Sequence, residues 1–387
     1  MRICMLAYTF YEGDNRIRRY AEALVNRGDQ VDAIVLRLPD QQRYEVLKGV
    51  CVYRIQERIV DEKGKLSYLT KLIRFFIRSA FFLTIRHIRK PYDVIHVHSI
   101  PDFEVFAATI PKLLGSKLVL DIHDVLPEFY ASKFNGRKGS TIFKALAFQE
   151  TLSAGLADHV IISNHIWHEK IIKRSVPEGK CSVFLNYPDP SIFYVRKRPT
   201  EDGRVILLYP GSLNRHQGVH IAIRAFSQIT NQVPQAEFHI YGRGAEKEAL
   251  QKLVADLGLG DKVKFMKQAS LEMIAEVMAR ANAVVIPKRN DPFGGEAFST
   301  KILEFMSLGV PVLVSATKID KYYFNDSVVK FFEPENVNAL SESMLEMIRN
   351  SSLRKTLAAN ALKFVQDFSW DKKKQEYLDL VDRLVNR

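Results

Sequence analysis

The sequence predicts an α/β fold built as two Rossmann-like parallel-sheet lobes that face a central cleft. Its 387 residues exceed what one hydrophobic core usually serves, so two domains of roughly 150–200 residues each are expected. Strand-like and helix-like segments alternate in both halves, as in β-α-β units. A polar stretch at 196–203 interrupts the alternation and is interpreted as a linker. We expect an N-terminal lobe at 1–193, a C-terminal lobe at 194–370, and a C-terminal helix at 371–387 that returns to the first lobe.

The first half begins with a strand and a helix. Residues 2–9 form an apolar β run, and 15–27 place apolar side chains at helical spacing until Gly28 ends the helix. Further strands are predicted at 31–36, 93–98 and 117–122. In parallel sheets ligands bind beyond the carboxyl ends of the strands, so the substrates should lie there.

The second half repeats the alternation after the linker. Its predicted strands are 205–209, 237–241, 262–266, 283–287 and 310–314, with helices that begin near His220, Ala245, Leu271 and Thr300. This series predicts a second parallel sheet.

The composition is that of an ordinary globular protein, except for its charge. Hydrophobic residues make up 47% and charged residues 26%, which excludes a disordered chain, a collagen-like repeat and a polytopic membrane protein. The chain carries 56 Lys and Arg against 44 Asp and Glu, a net charge of +12. Such an excess is typical of proteins that bind nucleic acid, an anionic membrane face or an anionic small substrate.

Other features of the sequence indicate where the protein works. Cys4, Cys51 and Cys181 are too far apart for a disulfide framework or a CxxC metal site. No stretch of 18 uncharged apolar residues could span a bilayer, and the N-terminus is interpreted as a strand and not as a signal peptide. We therefore expect a cytoplasmic protein.

The most informative segment runs from Asn290 to Val312. A glycine-containing loop leads to Ser299 and Thr300, which are candidate N-caps of a helix that ends at Gly309. The free N–H groups at such a helix start form an anion site, and Lys301 adds a positive charge beside it. As an isolated residue, Lys301 could equally be an ordinary surface lysine.

Two glutamates flank this helix start. Glu296 lies just before the helix and Glu304 about one turn inside it, so both could accept hydrogen bonds from hydroxyls of one ligand, such as a sugar and a ribose. A glutamate pair without further context is more often solvated. The surrounding residues decide between these alternatives.

Glu296, the seven residues after it and Glu304 resemble the signature of the family-4 retaining glycosyltransferases of GT-B fold, with the trailing Gly-x-Pro-Val intact. The Ser-Thr-Lys variant at 299–301 is similar to the subset that builds bacterial capsule, O-antigen and exopolysaccharide. Six further segments resemble family motifs in the same order along the chain. They are 14–31, 92–98, 120–128, 186–193, 210–218 and 240–244.

The resemblance implies a reaction and its site residues. A sugar would pass, with retention of its anomeric configuration, from a nucleotide-diphosphate sugar to a hydroxyl of a glycan or lipid-linked acceptor. Glu296 would contact the hydroxyls of the transferred sugar and Glu304 the ribose. His123 would lie beside the reacting sugar, although a histidine at a strand end is often only a structural hydrogen-bonding group.

The resemblance also implies how the diphosphate is held. Gly211 and Ser212 would present their backbone to it, and the loop at 12–14, with Gly13, would close over the phosphates. The leaving diphosphate would depart with same-face attack, through an oxocarbenium-like transition state, and would serve as the base.

One departure from the family pattern concerns charge. Many members carry a basic pair where this chain has Ser212 and Gln217. The leaving group still needs cationic or N–H stabilisation. Our hypothesis is that Lys301, Arg215 and the helix start at Thr300 replace the missing pair.

We expect neither a metal nor a cofactor. The chain has no Asp-x-Asp, the spacing with which metal-dependent glycosyltransferases of the other fold hold a divalent ion. The Gly-x-Gly at 242–244 lacks the third glycine of a dinucleotide fingerprint, and no GxxxxGK[ST] is present. A nicotinamide dehydrogenase and an ATPase are therefore disfavoured.

A basic helix predicts where the acceptor binds. Residues 71–90 contain six Lys or Arg and no acid. Helical spacing groups one set of cations in an arc opposite an apolar face, and Phe75 and Phe82 lie near that arc, where a core cannot easily cover them. The arc comprises Lys71, Arg74, Arg78 and Arg89; the apolar face comprises Ile73, Phe76, Ala80, Leu83 and Thr84.

This pattern is typical of a helix at an anionic membrane interface, although a core-packed helix with a solvated basic face is commoner. Because the acceptors of this enzyme class are often lipid-linked, we expect peripheral contact with the inner face of the cell membrane. The expected acceptor-side or membrane-side residues are Arg74, Phe75, Arg78, Phe82, Arg89 and His98.

Two rival functions stay open from the sequence. Nucleotide-sugar 2-epimerases share the two-lobe architecture, although the segment from Glu296 to Glu304 resembles the transferases better. A non-catalytic membrane or nucleic-acid binder would explain the charge alone. Clustering of the cations in one helix argues against a nucleic-acid partner.

Overall fold

The computed structural model describes residues 1–58, 65–99, 101–133, 139–196, 203–267 and 271–386. The chain forms two compact units, one of Met1–Asn186 with Lys373–Arg387 and the other of Tyr187–Lys372. The first segment of the first unit therefore ends at Asn186, whereas we predicted the boundary between the two lobes at 193. Most of the predicted linker, 197–202, lies outside the described residues.

The described part of the first unit contains an eight-stranded sheet. Its strands are β1 (Arg2–Ala7), β2 (Gln30–Arg37), β3 (Tyr44–Leu47), β4 (Val50–Glu57), β5 (Val94–His98), β6 (Lys117–Ile122), β7 (His159–Ile162) and β8 (Cys181–Val183). They are ordered β3-β4-β2-β1-β5-β6-β7-β8, and all pairs are parallel except β3 with β4. From β1 the chain adds strands on one side of the sheet, and from β5 onward it adds them on the other side. Sheets of this kind bind ligands at the point where the strand order reverses, here between β1 and β5.

Helices accompany this sheet, and the sequence analysis predicted the first of them and most of the second. They are α1 (Asn15–Arg27), α2 (Lys65–Arg89), α3 (Thr109–Leu113), α4 (Leu126–Lys133), α5 (Thr141–Leu156) and α6 (His165–Arg174). In α1 the Asp14 carboxylate caps the first turn by accepting from the backbone N–H groups of Arg16 and Ile17. Gly28 ends the helix at φ 100°, a left-handed conformation that glycine adopts without strain.

The second unit contains a six-stranded parallel sheet within the described residues. Its strands are β9 (Val205–Pro210), β10 (Ala236–Tyr241), β11 (Val263–Met266), β12 (Ala283–Ile286), β13 (Val312–Ser315) and β14 (Lys330–Phe332). They are ordered β11-β10-β9-β12-β13-β14, so the strand order reverses between β9 and β12. The helices are α7 (Val219–Ser227), α8 (Lys247–Asp256), α9 (Leu271–Arg280), α10 (Thr300–Ser307), α11 (Lys318–Tyr323), α12 (Val337–Arg349) and α13 (Ser351–Val365).

Alternating side chains of the second sheet supply two apolar layers. Leu207 and Tyr209 of β9 are buried in one layer, whereas Leu208 between them is buried in the other. The period of two along a strand sends neighbours to opposite faces, so a central strand buried on both sides becomes apolar throughout. This layer structure holds α10 against the sheet through Ile302 and Phe305.

The last helix, α14 (Trp370–Val385), enters the first unit. Tyr377 on this helix is fully buried, and its ring centroid lies 4.3 Å from that of Tyr20 on α1. Arg27 of α1 donates to the Asp382 carboxylate at 2.7 Å. These contacts fix α14 to α1.

The position of α2 corrects part of the sequence analysis. Its buried stripe is Leu72, Phe75, Ser79, Leu83 and His87. Phe75 is fully buried and packs edge to face against Tyr8, with ring centroids 5.1 Å apart. Conversely, Ile73, predicted on the packed face, is 47% exposed. The packing partner of a helix determines which of its faces is buried. Here the ring of Tyr8, which follows β1, packs on Phe75 and buries that face of α2.

Candidate functional site

A cavity of about 470 Å³ lies beyond the carboxyl ends of β9 and β10 in the second unit. The loop after each strand and the start of α10 supply most of its wall. The lining residues are Phe193, Pro210, Gly211, Ser212, Tyr241, Gly242, Arg243, Ile274, Met278, Thr300, Lys301 and Glu304. Parallel sheets place loop backbone and helix N-termini at this edge, which makes it suited to anions.

The two strand-end loops pack backbone to backbone. Gly211 N–H donates to the Tyr241 carbonyl at 2.7 Å, and Leu213 N–H donates to the Arg243 carbonyl at 2.6 Å. A Cβ atom on Gly242 would lie 1.8 Å from the Gly211 carbonyl oxygen, so only glycine fits there. This close packing gives a physical reason for the glycines in both predicted motifs.

Lys301 is the principal cation of the cavity. A Cβ atom on Gly211 would lie 2.5 Å from Cε and 2.7 Å from Nζ of Lys301, so the lysine rests directly on that glycine. Nζ also lies 5.6 Å from the centroid of the Tyr209 ring. Burial lowers the pKa of Lys301 to about 8, assisted by Lys288 and opposed by Glu304. An anion in the cavity would restore the stability of the charged form.

The helix start beside Lys301 is as the sequence predicts. Ser299 is the N-cap of α10, and no side-chain bond caps that terminus. The Ser299 hydroxyl is buried and has no hydrogen-bond partner among the described residues. Thr300, the first helical residue, lines the cavity. The first turn of α10 thus keeps donors available for a ligand.

Two predicted phosphate residues do not line this cavity. The Arg215 side chain is 70% exposed and lies 3.8 Å from a Glu246 carboxylate oxygen. Gln217 accepts from the Tyr209 hydroxyl at 3.3 Å and contacts His216 at 3.1 Å, so it holds its own loop. Our hypothesis that Arg215 replaces the missing basic pair is therefore corrected, because the loop directs its side chain to solvent.

Arg243, and not Arg215, is the arginine that lines the cavity. Arg243 follows Gly242 at the end of β10, as Ser212 follows Gly211 at the end of β9. The sequence contains a signal for this similarity, since both strands end in proline or an aromatic residue followed by glycine. The residue after each glycine could therefore have been predicted to line the same cavity. The sequence analysis recognised the family motif at 240–244 but assigned no role to Arg243 within it.

Glu304 and Glu296 occupy different environments. Glu304 lines the cavity, whereas Glu296 lies in the preceding loop with Lys318 Nζ at 3.5 Å. Two buried groups hold this loop. Lys288 donates to the Ala297 carbonyl at 2.9 Å and pairs with Asp320, also at 2.9 Å. The sequence analysis did not identify this support, because Lys288 and Asp320 resemble ordinary surface residues.

In the first unit, Asp121 organises the strand ends around His123. One of its carboxylate oxygens, Oδ2, lies 3.3 Å from Nε2 of His123 and 3.3 Å from Nδ1 of His98. Those two nitrogens also lie 3.3 Å from each other. Because a carboxylate can only accept, a nitrogen that bonds Asp121 carries a proton. His123 is 24% exposed, whereas His98 is 1% exposed. His123 is thus the member of the group that a ligand can reach.

Arg16 of α1 neutralises Asp121. Its Nε and Nη2 atoms donate to the two carboxylate oxygens at 2.7 and 2.6 Å, and Nη1 donates to the Phe184 carbonyl at 2.9 Å. Burial alone would raise the pKa of Asp121, but Arg16, His123 and His98 together hold it well below its ordinary value. The pair explains why the predicted motif on α1 contains an arginine on the buried face.

His96 completes this buried cluster. Its Nδ1 lies 2.9 Å from the Tyr377 hydroxyl of α14, and burial followed by the proximity of His98 lowers its pKa well below the ordinary value. Ligand atoms of His96, His98 and Asp121 lie within 4.8 Å of one another, which is metal-site spacing. The Arg16 guanidinium already occupies both Asp121 oxygens, so the charge that balances this carboxylate is an arginine.

Gly13 lies in the loop after β1. It ends the turn Tyr11–Gly13, and a Cβ atom there would meet nothing within 4 Å. Glu12 beside it pairs with the buried Arg54. The backbone at Gly13 therefore faces open space, as a phosphate-covering loop requires.

Comparison with known families identifies the family of this chain. A model of the glycosyl transferase 4-like domain matches residues 13–186, and a model of glycosyl transferases group 1 matches 192–364. The chain is a family-4 glycosyltransferase of GT-B fold. The resemblance deduced from the sequence motifs is thereby confirmed.

Curated relatives of this glycosyltransferase come from archaea and bacteria. Glycosyltransferase MJ1607 of Methanocaldococcus jannaschii is 28% identical over 371 residues, which are 91% of this chain and 89% of the relative. O-antigen chain mannosyltransferase RfbU of Salmonella typhimurium is 27% identical over 211 residues, 54% of either chain.

Solved structures show the same fold. Sucrose-phosphate synthase from Thermosynechococcus elongatus has a TM-score of 0.82 at 20% identity, with 99% of each chain covered. Anabaena HepE in complex with UDP and glucose has a TM-score of 0.72 at 16% identity, covering 98% of this chain and 99% of that one. Both predicted parallel-sheet lobes of the glycosyltransferase are therefore confirmed as a GT-B fold.

The residues predicted on the acceptor or membrane side of the glycosyltransferase separate into three groups. Arg74, Arg78 and Arg89 are exposed on α2. Phe82 is half-buried, 5.4 Å from the Tyr53 ring. Phe75 and His98 are buried, so they cannot contact an acceptor or a membrane as we predicted. No helix in the described ranges is long and apolar enough to cross a bilayer.

Proposed function

We propose that this glycosyltransferase moves a sugar from a nucleotide-diphosphate sugar to a hydroxyl of a lipid-linked glycan acceptor, with retention, during synthesis of a bacterial surface polysaccharide. The single observation that carries the proposal is the second-unit cavity, where Lys301 and the start of α10 meet the backbone of Gly211 and Ser212. Similar proteins support it: RfbU is an O-antigen chain mannosyltransferase, and the structure of HepE contains UDP and glucose.

The donor is held by groups of the second unit. The diphosphate accepts from the backbone of Gly211 and Ser212 and from the first turn of α10, with Lys301 and Arg243 as cations. Glu304, inside the same cavity, accepts from ribose hydroxyls. Glu296 contacts the sugar hydroxyls, a role that we carry over from the family motif.

The proposed reaction breaks the bond between the sugar C1 and the diphosphate oxygen. Lys301 and the α10 start stabilise the charge that develops on the leaving phosphate, which is the largest requirement of this step. The acceptor oxygen bonds C1 on the face that the diphosphate leaves, and its proton passes to a phosphate oxygen. No covalent enzyme intermediate forms, so a trapped glycosyl adduct on Glu296 would contradict this mechanism.

His123 binds a hydroxyl of the reacting sugar. With Nε2 directed to Asp121, its Nδ1 is left to accept or donate a hydrogen bond. Asp121 and Arg16 act as positioning residues for this imidazole. We propose no resident metal, because Arg16 supplies the cation that balances the buried carboxylate.

The acceptor is proposed to reach the protein at an anionic membrane face that α2 contacts peripherally. An apolar stripe on α2 comprises Leu69 at 48%, Ile73 at 47%, Ile77 at 60% and Phe81 at 70% exposure. Their spacing of four residues keeps them on one face, next to Arg74 and Arg78. Flotation with anionic and neutral liposomes tests this contact; equal binding to both would contradict it.

Two experiments test the transferase proposal. Thermal shift with UDP-, GDP- and dTDP-sugars should identify one donor class, since a ligand at 100 times its Kd stabilises by about 2.7 kcal/mol. NMR of the product with that donor and a lipid-linked acceptor should show the anomeric configuration of the donor. Conversion of the nucleotide sugar without an acceptor would instead indicate an epimerase.

Charge reversal, Lys301→Glu, should depress kcat far more than stability, and an active variant would contradict the assigned role.

A further inference from the structure

A second anion site lies in the first unit, apart from the proposed donor cavity. It is a pocket of about 620 Å³ lined by residues of β2–β4 and α2. Its lining combines six cations with four aromatic rings: Arg37, Arg43, Arg54, Lys71, Arg74 and Arg78 with Tyr44, Tyr53, Phe81 and Phe82. It shares no residue with the donor cavity.

The five arginines of the lining divide into a neutralised set of two and an uncompensated set of three. Arg54, whose side chain is fully buried, pairs with Glu12 and with Glu45, the latter at 2.9 Å. Arg37 pairs with Glu57. These two arginines therefore have internal counter-charges and form part of the wall.

The second set has no such partners. In the part of the chain that the structure describes, no carboxylate pairs with Arg43, Arg74 or Arg78; the one hydrogen bond recorded for their guanidinium groups runs from Arg78 to the Ile55 carbonyl at 3.2 Å. Partial burial, then Arg74 and Arg43, lowers the pKa of Arg78. Three guanidinium groups thus repel one another across the pocket, and a ligand of opposite charge would relieve that repulsion.

The chemistry of the lining selects a phosphate ester. Guanidinium groups donate forked pairs of hydrogen bonds that match phosphate oxygens, and a phosphomonoester carries nearly two negative charges near pH 7. A phosphodiester carries one. A pocket with three converging arginines should therefore prefer a terminal phosphate.

The apolar stripe of α2 indicates that the phosphate belongs to a lipid. Phe81 both lines the pocket and, at 70% exposure, ends the stripe formed with Leu69, Ile73 and Ile77. A free phosphate would use the cations and leave these side chains in water. An amphiphile with a phosphate head and apolar chains would satisfy both surfaces at once.

We propose that this pocket binds the phosphomonoester head of an anionic lipid, one head per protein molecule, while the α2 stripe enters the bilayer interface. The lipid assignment rests on the membrane contact proposed above, whereas the phosphate assignment rests on the pocket alone.

The decisive comparison uses vesicles of equal surface charge. Vesicles with phosphatidic acid and vesicles with phosphatidylglycerol, adjusted to the same zeta potential, are compared by flotation. A diffuse electrostatic attraction would bind both equally. The pocket predicts at least tenfold tighter binding to phosphatidic acid. Equal binding would overturn the proposal.

Variants separate the pocket from general charge. The double variant Arg43→Glu with Arg74→Glu should lose the phosphatidic acid preference. The control Lys173→Glu with Lys355→Glu changes the net charge equally at exposed sites outside the pocket and should keep it. A control that loses the preference as fully as the pocket variant would overturn the proposal. Thermal unfolding of each variant verifies that it is folded.

Soluble probes distinguish the two sources of phosphate. Calorimetry should show one site for dihexanoyl phosphatidic acid below its micelle concentration, at least tenfold tighter than for glycerol 3-phosphate or inorganic phosphate. Phe81→Ser should weaken the lipid and leave glycerol 3-phosphate unchanged. Equal affinity for lipid and free phosphate would overturn the lipid assignment. These assays need neither donor nor acceptor, so failure to detect glycosyl transfer leaves the pocket intact, and failure of the pocket leaves the donor cavity intact.

Discussion

Donor binding should depend on pH through a single residue, Lys301. Burial lowers its pKa to about 8 in the empty cavity, whereas an ordinary lysine titrates near 10.5. The proposed diphosphate would hold the bound lysine in its charged form. The perturbations are a pH change from 7.5 to 9.0, over which the diphosphate group keeps its charge, and the substitutions Lys301→Arg and Lys301→Met.

The magnitude follows from the protonated fraction. A group with a pKa of 8 is about three-quarters protonated at pH 7.5 and about one-tenth protonated at pH 9.0. Affinity for the diphosphate should therefore fall about eightfold over this range. At pH 8.5 about one-quarter of the free protein carries the proton, so binding should take up about 0.75 proton per molecule. Folding stability has the opposite dependence, because the cost of burying Lys301 is complete below about pH 8 and declines as pH rises from about 8 to 10.5.

Calorimetry in two buffers of different ionisation enthalpy measures that proton uptake directly. The ligand is whichever of UDP, GDP and dTDP gives the largest thermal shift. Lys301→Arg keeps its charge and should show neither uptake nor a pH-dependent affinity, although Gly211 constrains its geometry. Lys301→Met should bind at least tenfold more weakly at pH 7.5, also without uptake. Uptake below about 0.1 proton in the native protein, or the same uptake in Lys301→Met, would refute the assignment.

Three further predictions follow from the packing. Gly211→Ala would place a methyl group against the cavity lysine and should weaken nucleotide binding at least tenfold with little change in Tm, whereas Gly179→Ala, where nothing lies within 4 Å, should change neither in the same assays. Asp121→Asn leaves the Arg16 charge uncompensated and should cost about 3–5 kcal/mol in urea unfolding; a cost below 1 kcal/mol would contradict the buried pair. Burial raises the pKa of Glu104 to about 8, so its contribution to stability is lost as pH rises from about 4.5 to 8. Glu104→Gln should therefore stabilise by roughly 1–3 kcal/mol at pH 9 and by almost nothing at pH 4, measured by denaturant unfolding; an equal effect at both would contradict burial as the cause.

Local signals were enough to predict most elements of the fold. The helix at 15–27 matches α1 at both ends, because Asp14 caps one terminus and Gly28 the other. The strand at 117–122 matches β6 in the same way. Five strands of the second unit were located within about two residues, since a buried parallel strand is apolar along its whole length. Such signals need no knowledge of distant partners.

The failures arose where a distant partner decides. Phe75 lies at the edge of the basic arc in a helical projection, yet Tyr8 covers it. Arg16 and Asp121 are separated by 105 positions in the chain, so no spacing rule connects them. Arg215 and Arg243 are equally basic in the sequence, and only the direction of each loop decides which lines the cavity.

The positions of the unpaired cations are more informative about the function of the glycosyltransferase than the value of its net charge. Several buried cations have internal counter-charges: Arg16 has Asp121, and Lys288 has Asp320. Such pairs can hold a unique geometry but leave nothing for a ligand. Among the described residues, cavity cations without a paired carboxylate include Lys301 beside the α10 start and the three arginines of the α2 pocket. An excess that gathers at two separate cavities, each suited to phosphate, agrees with the proposed nucleoside diphosphate donor and with the proposed acceptor on an anionic lipid surface. Nucleic-acid binding would instead require a continuous basic groove with a backbone to follow.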